Sequence, residues 1–94
     1  MKDNYVWDPK KAKGNIKKHG ITFEESVEVF DDPYAIESLD EKNSLLDEFR
    51  YRIIGRVKRQ VVVLVAYTQR DGISRIISAR YATPKERQAY YDNF

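Results

Sequence analysis

From Glu48 onward apolar and polar positions alternate: Phe49, Tyr51 and Ile53 fall on one side of the chain, and Glu48, Arg50, Arg52 and Arg56 on the other. A period of two predicts a strand whose apolar side is core and whose opposite side is basic. After a turn at Lys58, Arg59 and Gln60 comes Val61 to Tyr67, VVVLVAY, apolar on both faces and so predicted as a central strand covered on both sides. Gln69, Arg70, Asp71 and Gly72 form the next hairpin, where Asp-Gly supplies the positive φ of a tight turn. Ile73 to Arg80 follows as the last strand, with an unresolved parity. Ser74, Ser78 and Arg80 share a face with Ile76, whereas Ile73, Ile77 and Ala79 share the other with Arg75. Either a bulge intervenes between the two arginines, or Arg75 emerges at an edge and reaches round the sheet.

The rest of the chain reads as helices and short strands. Tyr5, Val6 and Trp7 form a short first strand, and Asp8-Pro9 opens a helix that runs to about His19, with Gly20 at the left-handed C′ position. The apolar stripe of that helix is thin, made of Ala12, Ile16 and the ring of His19, while five lysines occupy most of the remainder. Gly14 costs it about 1 kcal/mol relative to alanine, so packing must hold it. Thr22 with Glu25 is a capping box opening a second helix, whose Phe23, Val27 and Phe30 share a face, and Asp31, Asp32 and Pro33 end it. Tyr34 to Leu39 is a short strand and Asp40 to Asp47 an acidic loop. Thr83, Pro84 and Glu86 are the N-cap, first and third residues of a C-terminal helix. The expected fold is α+β: a short N-terminal strand, two helices, an antiparallel sheet and a C-terminal helix, as one domain over residues 1–94.

Composition narrows the chemistry. The chain has 94 residues, no cysteine and one histidine, which excludes disulfides and leaves too few ligands for an ordinary zinc site; neither metal nor cofactor is expected. No run approaches the ~18 apolar residues of a membrane helix, and MKDNYVWD lacks a signal-peptide core, so a cytoplasmic protein is expected. The net charge of +2 conceals a segregation. Residues 1–20 carry six lysines against Asp3 and Asp8, residues 21–48 ten acids against Lys42, and residues 49–94 ten arginines and lysines against three acids. That pattern fits either an evenly mixed surface or a basic face for a polyanion with an acidic flank elsewhere.

The motifs WDPKKAKGNIKKHGITFEES, VFDDP, EFRYRIIG and AYTQRDGISRIISARYATPKERQAYY, in this order and spacing, resemble the BrnT family of bacterial type II toxins. The resemblance covers nearly the whole chain. Where relatives commonly carry His-Ser and then Glu-Glu-Arg, this chain has Asn43-Ser44 and then Asp47, Glu48, Phe49 and Arg50. The family resemblance implies a RelE-like fold and a ribonuclease that inhibits translation. It also implies a BrnA-like ribbon-helix-helix antitoxin as partner, in a complex of two toxins and two antitoxins that reaches operator DNA only through the antitoxin.

Metal-free RNA cleavage needs a base for the 2′-OH, positive charge for the phosphorane and help for the leaving oxygen. Arginine suits the second task, because its fork holds phosphate oxygens bidentately. Arg75 and Arg80 are therefore the first catalytic candidates, Arg80 with the alternative of a structural ion pair to Glu48 or Glu86. His19 is a candidate acid or base, histidine being the side chain that titrates near neutrality, or else a packing residue before Gly20. Lys18 is an equal candidate for phosphate contact or proton transfer. Lys17, Arg50 and Arg70 are expected to bind RNA. Glu48 is either a base or a counter-charge, and Tyr90 and Tyr91 either stack on bases or pack on Val61–Tyr67. The reading from another class is an inert RNA- or protein-binding module on the same fold.

Overall fold

The computed structural model describes residues 4–94. Val62, Val63, Leu64 and Val65 are all buried, so the strand that carries them needs neighbours on both edges and cover on both faces. It has both. The sheet contains β1 (Tyr5–Val6), β2 (Ile36–Leu39), β3 (Arg50–Arg56), β4 (Val62–Arg70) and β5 (Ile73–Tyr81), in the order β1-β5-β4-β3-β2. The chain from β2 to β5 is an antiparallel meander, as the alternation predicts. The sheet as a whole is mixed rather than antiparallel, because β1 joins β5 in parallel through Tyr5↔Ser74 and Val6↔Arg75. A parallel pair needs a long crossover, and here everything between the first strand and the last supplies it.

One face is covered by α1 (Pro9–His19), by α2 (Phe23–Ser26) and by a 3₁₀ segment, Val27–Asp31. Phe23, Val27 and Val29 from these elements, with Ile21 from the α1–α2 connection, meet Ile53, Val57, Val63, Val65, Tyr67, Ile76 and Ala79 in the main core. The second helix is thus shorter than its pattern suggests. Thr22 caps it by accepting from Glu25 N–H at 3.0 Å, but the Glu25 carboxylate turns to Arg59 instead of closing the box. The tighter 3₁₀ winding brings Val29 against β3 at Gly55, where a Cβ would lie 3.0 Å from the Val29 Cβ.

α1 is capped as expected, by Asp8 accepting from Lys10 N–H at 2.9 Å and by Gly20 at φ 73°. Its docking differs from the predicted stripe. Ile16 is 47% exposed, and the buried residue is Asn15. Past Arg75 the outer edge of β5 has no strand beside it among the described residues, and unpaired backbone groups there need partners. Asn15 supplies them: Nδ2 donates to Ala79 O at 2.9 Å and to Ile21 O at 3.0 Å, and Oδ1 accepts from Ala79 N–H at 3.0 Å. A periodicity search for apolar residues does not detect a helix held by an amide.

The opposite face is covered over one half only, by α3 (Pro84–Asp92). Its fully buried Tyr90 packs with Val62, Ala82, Ile36 and Ile54, and the Tyr90 hydroxyl donates to Asp32. The capping box of Thr83 and Glu86 forms in both directions. Glu86 also takes Arg80 in a fork, Nη1 to Oε1 at 2.8 Å and Nη2 to Oε2 at 2.9 Å, so one carboxylate ties the helix start to the last strand. The Arg80 bonds, with the backbone and hydroxyl of Thr83 assisting, hold the Glu86 carboxyl down at about 2 from an ordinary 4.5, against the opposing effect of burial.

Two outcomes follow from these contacts. Asn15→Ala should lower unfolding stability by about 2–4 kcal/mol, since it orphans buried backbone groups on β5, and urea titration measures it. A carboxyl whose folded pKa is depressed stabilises the fold above its unfolded pKa and loses that contribution as pH falls through the folded one. Melting temperature should therefore drop between pH 4.5 and about 2 more steeply in the parent than in Glu86→Gln.

Candidate functional site

The register of β4 and β5 settles the parity of the two arginines. Ala66 pairs with Ser78 and Tyr67 with Ile76, so Ile77 is an extra residue in β5, a bulge. Before it, Arg75 pairs with Thr68; after it, Arg80 pairs with Leu64. Thr68 and Leu64 are on the same side of β4, so both arginines project from one face. Ser74, Ile76 and Ala79 turn to the core, which an unbroken strand would not allow.

That face carries two mostly polar rows of side chains across the strands. Arg50, Thr68, Arg75 and Val6 are in mutual register in the first, and Ser38, Arg52, Ala66 and Ser78 in the second. Arg50 and Arg75 thus flank Thr68 from strands about 10 Å apart, where two like charges in water repel by only about 0.4 kcal/mol. Arg50 Nε is out of solvent and has no hydrogen-bond partner among the described residues, a donor the chain itself leaves unsatisfied. Beside this row a cleft of about 280 Å³ is lined by Glu48, Thr68, Arg70, Asp71 and Arg75, with Val6 and Ile73. The predicted Arg70 and Arg75 therefore line one cleft with Glu48, and Arg50 is in register with Thr68 and Arg75 beside it.

Arg80 stands apart. It is four β4 positions from Arg75, about 13 Å along the sheet, and its guanidinium is engaged by Glu86, the structural alternative left open above. Lys17, Lys18 and His19 lie on the last turn of α1, beside the β5 edge where Asn15 holds Ala79. At about 100° per residue, Ala12 and His19 fall to one side of Asn15 and Lys11 and Lys18 to the other. Ala12 packs on the core, so Lys18 is on the side of the arginine face; His19 is half-buried on the core side. Lys17 points away from the sheet. Of the aromatic candidates, Tyr90 is core and Tyr91 is 40% exposed.

Arg52, Thr68 and Ser78 complete the face and were not singled out from the sequence. Arg52 was legible through its parity with Arg50 and Ser78 through its parity with Arg80; that Arg75 shares their face is known only with the bulge. Among the described residues no three histidine, aspartate or glutamate side chains gather as a metal site would need, and no helix is long and apolar enough to cross a membrane.

A family model described as the ribonuclease toxin BrnT of type II toxin–antitoxin systems matches residues 7–86, from before α1 into the start of α3 and through both arginine rows. The fold is similar to the 1.1 Å crystal structure of the Brucella abortus ribonuclease toxin BrnT. The TM-score is 0.64 and the identity 23%, over 84% of this chain and 95% of that one; at this identity the likeness bears on the fold alone. A search of curated proteins gave no match. With the family match spanning all but the two ends of the chain, the protein belongs to the BrnT family of ribonuclease toxins of type II toxin–antitoxin systems.

Proposed function

We propose that this protein is an endoribonuclease that cleaves RNA without a metal ion on the arginine face, and that its reacting centre is the cleft beside Arg50, Thr68 and Arg75. The observation that carries the reading is the Ile77 bulge, which aligns Arg75 with Arg50 on the open side of the sheet. The substrate's 2′-oxygen attacks the adjacent phosphorus, and the 5′-oxygen leaves with a proton from water in the open cleft, giving a cyclic phosphate. Glu48, lining the cleft, takes the 2′-OH proton. Arg50 and Arg75 hold the non-bridging oxygens as negative charge grows on them, and Arg70 steers the strand. Lys18 and Arg80 extend the positive track along β5, and Lys17 adds charge behind it; His19 is a packing residue of α1.

The remainder of the reading comes from the family resemblance. Cleavage of cellular RNA stops translation on a RelE-like scaffold in the cytoplasm. A BrnA-like ribbon-helix-helix antitoxin holds the toxin silent in a complex of two toxins and two antitoxins, and contacts operator DNA on the pair's behalf.

Purified protein incubated with RNA in EDTA should give cleavage products; a mobility shift without products would leave a binding module in its place. Arg75→Ala and Arg50→Ala should each reduce the single-turnover rate by roughly 10²–10³-fold with unchanged melting, the scale of one lost transition-state donor. Lys18→Ala should weaken RNA binding and lower its salt slope by about one, whereas His19→Ala should lower melting temperature and leave the rate per folded molecule unchanged. A large rate loss in folded His19→Ala would return the histidine to the mechanism.

A further inference from the structure

The Asp40–Phe49 connection between β2 and β3 exposes apolar surface that neither the core nor the cleft uses. Leu45 is 63% exposed, Phe49 52%, Leu39 41%, and Leu46 wholly so. With Glu41 and Ser44 they line a groove of about 280 Å³. The groove prolongs the core. Phe30 packs on Tyr67 and Tyr67 on Tyr51, at ring separations of 5.0 and 5.5 Å, and Tyr51 is registered with Leu39, where the covering helices stop. The connection is not loose. Ser44 Oγ donates to Asp40 O at 2.7 Å and accepts from Arg50 N–H at 2.9 Å, Asn43 Nδ2 donates to Asp40 at 2.9 Å, and Leu45 and Glu48 form a bridge. Four large apolar side chains are thus held out to water on a braced frame.

β2, the outermost strand, runs into this groove. Asp40 N–H donates to Arg50 O at 2.7 Å, so by antiparallel alternation Ser38 and Ile36 also face β3. The backbone groups of Glu37 and Leu39 therefore point outward from the sheet, a free edge of the kind that accepts an added strand. Around them are Glu37, Asp40, Glu41, Asp47 and Glu48 against the single base Lys42.

We propose that the β2 edge and its leucine groove are the anchoring site for the antitoxin, which adds an extended apolar segment flanked by lysine or arginine as a sixth strand. Charge decides the occupant. A second copy of this chain paired edge to edge would set Glu37 and its acidic neighbours against themselves, and like charges directly opposite destabilise a strand pair. A basic apolar segment finds hydrogen bonds, burial and counter-charge together. Because Glu48 belongs both to the acidic rim and to the arginine cleft, a strand anchored here has its next residues at the mouth of the cleft.

The inference rests on the toxin reading, and its test separates the two. With the whole toxin and its co-expressed antitoxin, Leu46→Glu and the double variant Leu45→Glu/Leu46→Glu should bind antitoxin on the order of 100-fold more weakly and cleave RNA as the parent does. Amide exchange at Glu37 and Leu39 should slow on complex formation. Folded Leu46→Glu toxin silenced by antitoxin as fully as the parent overturns the anchor alone. Parent toxin that neither cleaves RNA nor binds antitoxin overturns the reading beneath it. A toxin that dimerises by itself and loses the dimer in Leu46→Glu assigns the groove to a second copy and overturns the proposal.

Discussion

Ile77 is the residue that β5 carries in excess of β4, and the division of side chains between the two faces of the sheet turns on it. β5 must bury Ile76 and Ala79 against the α1 side while keeping Arg75 and Arg80 in water. Those requirements conflict in a strand of strict period two, since Ile76 and Ala79 differ in parity, as do Arg75 and Arg80. Burying either guanidinium without a partner would cost several kcal/mol, more than a local disruption of one ladder step. One bulge resolves both conflicts at once. It lies just before Ala79, whose backbone Asn15 grips from the edge, so the irregular strand is held where it has least help from its own ladder.

The face that results is divided. α3 dries the half built on Val62, Ile54 and Ile36 with Tyr90, and leaves the half built on Thr68, Ala66 and Ser78 to the arginines. Arg80 stands at the boundary. Its fork to Glu86 anchors the capping box of α3, and that bond raises the pKa of Arg80 while holding Glu86 low. The same boundary runs through Asp32. Burial works to raise its pKa, but hydrogen bonds from Tyr90 and from the backbone of Arg56 and Tyr34 outweigh it and keep the group ionised. Arg80 and Asp32, at this boundary, are thus paired, whereas Arg50 of the first row keeps a buried Nε with no partner among the described residues.

Part of the charge segregation along the chain survives in the fold. The acids of residues 37–48 gather on β2 and its connection to β3, and Arg50, Arg52, Arg75 and Arg80 on the adjacent face, whereas Arg59 pairs with Glu25 of α2. Opposed fields this close together suit two ligands of opposite charge that meet at Glu48: a polyanion on one side, and a basic segment on the other.

Local signals were sufficient for much of this. Asp8-Pro9, Thr22 and Thr83-Pro84 fixed where helices begin, because a cap acts within one turn. The two-sided apolar run VVVLVAY named the central strand, and alternation from Phe49 to Ile53 named the basic side of β3, because burial imposes period two on a strand wherever it is in the fold. Four decisions needed the tertiary structure. The bulge at Ile77 arises from cross-strand register, which parity within one strand poses as a conflict without saying where it is relieved. The parallel docking of β1 joins residues some seventy positions apart. Asn15, which no apolar pattern marks, is the clamp on α1 because a polar residue can be buried when its partners are backbone groups of another element. Arg80 stood beside Arg75 as a first candidate for phosphate, with an ion pair to Glu48 or Glu86 as its alternative, and only the fold shows Glu86 brought within 3 Å by a turn and a capping box. A sequence shows which side chains carry charge, but their freedom to act depends on which partners the fold brings beside them.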